Sequence, residues 1–231
     1  MAEHIVRSFD GDIDRIVTMI VEMGGRAEAQ VEGALAALAR GDGAVADDVV
    51  DADEGLDLAA EAIDQTAVWL FARRQPMAVD LRLIAMSLKI SNDLERVGDY
   101  AANVAKRAKH LAAGGEFGYA SSLLRMGELV RDMLTDVVDA YADRDARLAM
   151  TVWHRDAEVD GLYRTLFREL VDGARDAPAA TSTRIDLLFV AKNLERLGDH
   201  ATNIAERVHY IVHGDRINRT RGEPVRVAAG D

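Results

Sequence analysis

Two short stretches of the chain place carboxylates and an amide at intervals of four residues. Each has a Glu, then an Asp, then an Asn, as Glu95, Asp99 and Asn103 in the first and Glu195, Asp199 and Asn203 in the second. Residues four apart lie on the same side of an α-helix, so each triple would line up three oxygen ligands. Such ligands suit hard cations, and they also make an anionic surface for a partner. Both interpretations stay open.

A second acidic pair precedes each stretch, again with a spacing of four. If these pairs lie on helices that pack antiparallel against the first ones, four carboxylates converge on one face of each copy. That arrangement predicts either a multinuclear metal site, holding iron, zinc or magnesium, or a strongly anionic docking face. The predicted ligands are Asp53, Asp57, Glu95 and Asp99 in the first copy, and Asp156, Asp160, Glu195 and Asp199 in the second, with Asn103 and Asn203 as additional face residues.

The two stretches are copies of one another. Residues 94–107 read LERVGDYAANVAKR and residues 194–207 read LERLGDHATNIAER, with nine identities. Chance would supply about one identity in such a window. The chain is therefore an internal duplication, and its period is too long for a solenoid repeat and suits a duplicated helical bundle.

Helix-period patterning with short breaks indicates which elements position these side chains. It predicts an all-α fold of six helices, at roughly 8–40, 44–74, 78–112, 118–143, 145–174 and 181–213. Three helices, a Gly-Gly joint and three more helices describe two tandem antiparallel three-helix bundles, over residues 1–113 and 114–213. Residues 214–231 lose this periodicity and are predicted to be a disordered tail.

Within each repeated helix an apolar seam separates from the acidic stripe. The seam has a 3,4,3,4,3 spacing and comprises Leu94, Val97, Ala101, Val104, Ala108 and Leu111 in the first copy, and Leu194, Leu197, Ala201, Ile204, Val208 and Ile211 in the second. At 100° per residue the acids point roughly opposite to it, so they are predicted to face away from their own bundle core. Arg96 and Arg196 are expected to pair with nearby acids.

Gly98 and Gly198 lie inside these helices, where Gly costs about 0.5–1 kcal/mol relative to Ala. Both copies keep that cost. Either close helix packing or the close approach of a ligand or partner would explain them.

Composition excludes several classes of function. The formal net charge of −12 has the wrong sign for holding phosphate backbones, so nucleic acid is not an expected partner. The absence of Cys removes disulfides, thiolate nucleophiles and Cys-based zinc sites. No apolar run reaches the roughly 18–20 residues that span a bilayer, and no signal-like segment opens the chain. The expectation is a soluble, cytoplasmic protein without catalytic or cofactor-binding motifs.

The doubled motif resembles that of the PhoU family of phosphate-specific transport accessory proteins. The resemblance extends over roughly residues 5–213, and it includes the run Gln75-Pro76-x-Ala78-x-Asp80-Leu81-Arg82. The second copy departs from this run, having Pro178 followed by Thr181, Ser182 and Thr183. The two faces are therefore not expected to serve identical partners.

The resemblance implies a bacterial cytoplasmic protein built from two tandem three-helix bundles, with surface metal clusters in several members. It also implies contacts with the sensor histidine kinase PhoR and with PstB, the ATPase of the phosphate ABC importer. The resulting prediction is a non-enzymatic, homodimeric negative regulator of phosphate uptake and of the phosphate-starvation regulon. The alternatives are an enzyme that uses a carboxylate-bound metal cluster and a plain helical interaction scaffold.

Overall fold

The computed structural model describes residues 2–74, 76–114, 120–176 and 180–217, and these form seven helices without a strand. The helices are α1 (Ala2–Arg40), α2 (Gly43–Asp51), α3 (Glu54–Arg74), α4 (Ala78–Gly114), α5 (Ala120–Asp143), α6 (Ala146–Asp176) and α7 (Thr181–His213). The predicted all-α class is confirmed. Among these residues no helix is long and apolar enough to cross a membrane.

Turn residues fix the helix ends close to the predicted breaks. Asp42 caps α2, accepting hydrogen bonds from the backbone N–H groups of Ala44 and Val45 at 2.9 and 3.3 Å. Asp145 caps α6 in the same way, and these backbone hydrogen bonds lower the pKa of its carboxyl. Gly214 ends α7 in the left-handed conformation, with φ 80°.

One predicted helix is divided in the structure. The helical hydrogen-bond pattern is interrupted at Ala52 and Asp53, so the element predicted over 44–74 consists of α2 and α3. At the break the Asp53 and Gly55 N–H groups bond to carbonyls three residues back rather than four. Residues 51–55 are Asp-Ala-Asp-Glu-Gly, in which Asp and Gly favour turns over helix. The break was not predicted because the apolar residues on either side continue the helical period.

The seven helices make two three-helix bundles, α1 with α2–α3 and α4, and α5 with α6 and α7, as predicted. The bundles lie side by side, α4 against α7 and α1 against α5. Both predicted apolar seams are buried, and the buried side chains of the two bundles join in one core. The boundary near residue 114 stays a prediction, and the predicted tail lies outside the described residues beyond Ile217.

Helices α4 and α7 run antiparallel along the interface between the bundles. Arg107 Nη1 lies 2.8 Å from Asp186 Oδ1 near one end, and Arg82 Nε donates to the carbonyl of Ile211 at 3.3 Å near the other. Between them the Tyr100 ring meets the ring of its repeat equivalent, His200. The two copies are therefore related by an approximate two-fold axis that passes through this interface.

Candidate functional site

The first acidic face, comprising Asp53, Asp57, Glu95 and Asp99, forms where the α2–α3 break meets α4. Gly98 allows this approach, because a Cβ atom added there would lie 2.4 Å from Leu56 Cδ1 and 2.8 Å from Asp53 Oδ1. Close helix packing thus explains the first helical glycine, and it brings the Asp53 carboxylate beside the repeated motif.

The four carboxylates of the first face influence one another electrostatically. Burial raises the pKa of Asp53, and the negative charges of Asp99, Asp57 and Glu95 raise it further, whereas Lys106 lowers it. The Asp53 carboxylate therefore lies beside the repeated motif of the first copy, and the four carboxylates as one site stay a prediction. At neutral pH the face concentrates negative charge that the chain relieves only in part.

Arg96 supplies part of that relief. Its Nη1 lies 2.7 Å from Asp99 Oδ2, and both side chains are well exposed, at 58% and 38%. This hydrogen bond raises the pKa of the Arg96 guanidinium. The predicted pairing of Arg96 is confirmed, although such an exposed pair contributes little to stability.

The second acidic face, comprising Asp156, Asp160, Glu195 and Asp199, is more enclosed. Burial raises the pKa of Asp199, as do the charges of Glu195 and Asp160, while Lys192 and Arg196 lower it. Lys192 Nζ lies 2.5 Å from Glu195 Oε2, and the Glu195 side chain is only 14% exposed. These three acids lie close together as predicted, with two cations beside them.

Asp156 is buried rather than exposed on the second acidic face, and its role as a metal ligand stays a prediction. It is only 5% exposed, because α6 turns it toward neighbouring helices. A spacing of four fixes which residues share a side of a helix, but it does not say how much of that side a third helix covers. Gly198 is also a packing residue, since an added Cβ would lie 3.3 Å from Val159 Cγ1.

The two asparagines of the motif do not behave alike. Asn103 is exposed, whereas Asn203 is half-buried and lines a groove between α4 and α7 together with Lys89 and Arg207. Asn203 therefore borders the interface between the bundles, and its role as an additional face residue stays a prediction.

A metal ion would require several of these carboxylates to converge on one point. Among the described residues no group of three or more acidic or histidine side chains is arranged to hold one. The donors are of the right type for a hard cation, but Arg96 and Lys192 already engage Asp99 and Glu195. Arg96 and Lys192 would have to move before these carboxylates could hold a metal ion, and metal binding stays a prediction.

A buried ionic cluster at the bundle interface was not anticipated from the sequence. Asp93 of α4 is 5% exposed, and its two oxygens contact His200 Nδ1, at 2.9 Å, and Arg207 Nη1. Burial lowers the pKa of the Arg207 guanidinium, which the charge of Asp93 counteracts. Arg207 is identical to Arg107 at the equivalent position of the first copy, as one of the nine identities. This identity was the one sign in the sequence that an arginine outside the acidic stripe has a role in both copies.

Comparison with known proteins adds to this geometry. The sequence model described as "PhoU domain" matches the chain twice, over residues 20–108 and 123–208. A phosphate-specific transport system accessory protein PhoU homolog from Caulobacter vibrioides is 46% identical over 222 residues, covering 96% of each chain. The homolog of that name from Zymomonas mobilis is 40% identical, covering 98% of this chain and 96% of the relative.

Two crystal structures share the fold. PhoU from Pseudomonas aeruginosa superposes with a TM-score of 0.86 at 40% identity, over 90% of this chain and all (100%) of that one. The phosphate transport system regulatory protein PhoU from Streptococcus pneumoniae gives a TM-score of 0.85 at 27% identity, over 91% of this chain and 99% of the other.

Proposed function

This chain belongs to the PhoU family, and on that premise we propose that it regulates phosphate transport as a non-enzymatic adaptor. Its relatives are named as accessory proteins of the phosphate-specific transport system, which supports the general role. The finer proposal is negative regulation. The protein would link a PstB-type transporter ATPase to a PhoR-type sensor kinase, and would limit phosphate uptake and the starvation regulon when phosphate is plentiful.

The acidic face around Asp53 is the observation that carries this proposal. It gathers four carboxylates on the surface of a rigid helical bundle, and a related face recurs in the second bundle. Charged surfaces of this kind steer partners of opposite charge and fix their orientation, and they do not require a reacting group. Two such faces on one chain suit a protein that connects two partners.

The test is complementation of a deletion strain. One plasmid supplies the wild-type chain, and a second supplies a variant with Glu95, Asp99, Glu195 and Asp199 changed to Ala. Expression of a phosphate-regulon reporter in high phosphate should rise with the variant, and the binding of the purified kinase and ATPase should weaken. Full repression by the variant would contradict the role of the acidic faces.

A matched control removes the same charge elsewhere. Asp64, Glu128, Glu169 and Asp172 are exposed residues outside both faces, and their change to Ala should leave repression intact. If the control derepresses the reporter equally, the effect comes from net charge rather than from the faces. Circular dichroism on all three proteins checks that each is folded.

A bound cation is a second part of the proposal. Burial, and after it the negative charges of Asp99, Asp57 and Glu95, raise the pKa of Asp53. A hard cation would relieve the repulsion among these carboxylates, provided that Arg96 moves away from Asp99. Elemental analysis of the purified chain, before and after incubation with iron, zinc or magnesium salts, tests it. We expect the wild type to retain metal and the Glu95→Ala, Asp99→Ala variant to retain none. If the wild type retains no metal, only the docking role of the face remains.

The proposed partners also include a second copy of the chain. Sedimentation of the purified protein at several concentrations distinguishes a dimer from a monomer, and a single monomer mass throughout would contradict the homodimer.

A further inference from the structure

The approximate two-fold axis between α4 and α7 relates two ends of the interface that are built differently. At one end Arg107 of α4, with 36% of its side chain exposed, contacts α7: Asp186 Oδ1 lies 2.8 Å from its Nη1, and the Phe189 ring centroid lies 4.6 Å from its guanidinium. At the other end the equivalent arginine is Arg207. The positions equivalent to Asp186 and Phe189 are there occupied by Met86 and Lys89.

A groove lies beside Arg207, where Met86 and Lys89 stand in place of the Asp186 and Phe189 of the other end. The groove has a volume of about 650 Å³ and lies between α4, α7 and the segment that follows Gly214. The left-handed conformation of Gly214 ends α7 there, and the chain beyond it brings Arg216 to the groove wall. A volume of this size is typical of sites for small molecules.

Cationic and polar hydrogen-bond donors line this groove. Lys89 and Arg216 are exposed cations at its wall, and Arg207 contributes a guanidinium whose Nη1 is held by Asp93 behind it. Arg207 Nε is buried and has no hydrogen-bond partner among the described residues. Asn203 and Tyr210 add an amide and a phenol.

One acid, Glu206, also lines the groove, and it is engaged by a neighbour. Its Oε1 accepts a hydrogen bond from Trp153 Nε1 at 3.3 Å. Three cations, Lys89, Arg207 and Arg216, outnumber Glu206 and the Asp93 carboxylate behind Arg207, so the net charge at the wall is positive although the chain as a whole carries −12. A local cationic groove on an acidic protein selects small anions, because a large polyanion would meet the repulsion of the surrounding surface.

We propose that this groove binds the phosphate group of a small molecule, through Lys89, Arg207 and Arg216. Arginine presents paired donors that match the oxygens of a phosphate, and lysine adds a point charge. The phosphate group can come from inorganic phosphate or from a phosphorylated metabolite such as a nucleotide, and the groove has room for either. This site is distinct from both acidic faces and does not depend on the proposed partners.

The test is calorimetric titration of the purified full chain with inorganic phosphate and, separately, with ATP, at constant ionic strength. We expect at least one of them to bind at concentrations up to about 1 mM. Lys89→Gln and Arg216→Gln should each weaken that binding about tenfold, as loss of one charge-assisted contact of roughly 1.4 kcal/mol would do. Lys109→Gln, which removes an exposed cation outside the groove, is the matched control and should bind as wild type does.

A second variant copies the closed end into the open one. In Met86→Asp with Lys89→Phe, the new carboxylate and ring should engage Arg207 as Asp186 and Phe189 engage Arg107, and binding should be lost because the Lys89 cation is gone and the Arg207 guanidinium is occupied. Binding of inorganic phosphate alone identifies the free anion as the ligand, and binding of ATP alone identifies a phosphorylated metabolite. Failure of the wild type to bind either anion, or binding by Lys89→Gln and Arg216→Gln that is as tight as that of the wild type, would overturn the proposal.

Discussion

Tyr100 and His200 occupy the same position in the two repeats, and their rings meet across the α4–α7 interface with centroids 5.6 Å apart and planes inclined by 33°. The surroundings of the two rings differ, because His200 Nδ1 lies 2.9 Å from Asp93 Oδ1. The residue equivalent to Asp93 is Asn193, whose amide donates to the Phe189 carbonyl of its own helix at 2.7 Å. Duplication thus supplied a symmetric interface, and the two copies diverged at its polar positions.

The Asp93 cluster should be the most sensitive ionic contact between the bundles. Changing Asp93 to Ala leaves Arg207 in a largely buried position without its carboxylate, so we expect a loss of about 3 kcal/mol in the free energy of unfolding. The control is Asp186→Ala, which breaks the more exposed pair with Arg107 and should cost about 1 kcal/mol or less. Urea denaturation measures both, and equal losses would contradict the special role of Asp93.

The two helical glycines should differ in their tolerance of a methyl group. In Gly98→Ala the new Cβ would lie 2.4 Å from Leu56 Cδ1, and Leu56 is fully buried, so we expect a loss of roughly 1–3 kcal/mol. In Gly198→Ala the nearest atom lies at 3.3 Å, and the gain in helix propensity of about 0.5–1 kcal/mol offsets a small adjustment. Thermal unfolding of the pair measures the difference, and the reverse order would contradict this packing.

The helices and their seams could be predicted from the sequence because each seam residue repeats at the helical period. Leu94, Val97 and Ala101 are buried as that period requires. The α2–α3 break was not predicted, since Ala52 and Asp53 interrupt the pattern without a Pro or a run of glycines.

The acidic faces could be predicted in part, for a related physical reason. A spacing of four places Glu95 and Asp99 on one side of α4, and this holds whatever packs nearby. The burial of Asp156 depends on how α6 packs against α5 and α7 within its own bundle, whereas the cluster of Asp93 with Arg207 depends on how the two bundles pack against each other. A helix that contacts neighbours on several sides has more than one buried stripe. The apolar pattern of the sequence predicts only the stripe made of apolar residues.

The carboxyl of Asp53 should oppose folding at neutral pH. Burial and the charges of Asp99 and Asp57 raise its pKa in the folded protein above its ordinary value. The folded state therefore holds the proton more tightly, and the stability due to this proton is lost as the pH rises through the folded pKa. Asp53→Asn should be more stable than wild type at pH 7, and the difference should shrink as the pH falls toward the ordinary Asp range.

Asp145 provides a control of opposite sign for that measurement. Backbone hydrogen bonds from Leu148 and Arg147 lower the pKa of its carboxyl, so its contribution is present at neutral pH and is lost as the pH falls through the folded pKa. Asp145→Ala should therefore be less stable than wild type at pH 7. Urea denaturation across this pH range compares the two variants, and a shift of the same sign in both would contradict these assignments.

Tyr141 should remain protonated well into the alkaline range. It is almost completely buried between α4 and α5, its hydroxyl lies 2.7 Å from Ser87 Oγ, and burial raises its pKa to about 12. The unfolded chain ionises near the ordinary value of about 10, so the stability due to this phenol is lost as the pH rises from there toward the folded value. Ultraviolet titration should show one tyrosine that ionises late, and Tyr141→Phe should remove that component.

The two acidic faces should contribute unequally to regulation. In the first face Asp99 is 38% exposed on the side chain and its partner Arg96 is freely exposed, whereas in the second Glu195 is 14% exposed and held by Lys192. A partner gains steering and orientation only from charge that it can reach, so Glu95→Ala with Asp99→Ala should derepress the reporter more than Glu195→Ala with Asp199→Ala. Partner binding by the first face should also weaken more steeply with added salt, because exposed charges are screened most. Equal derepression by both double variants, with equal salt dependence, would mean that exposure of the carboxylates does not govern docking.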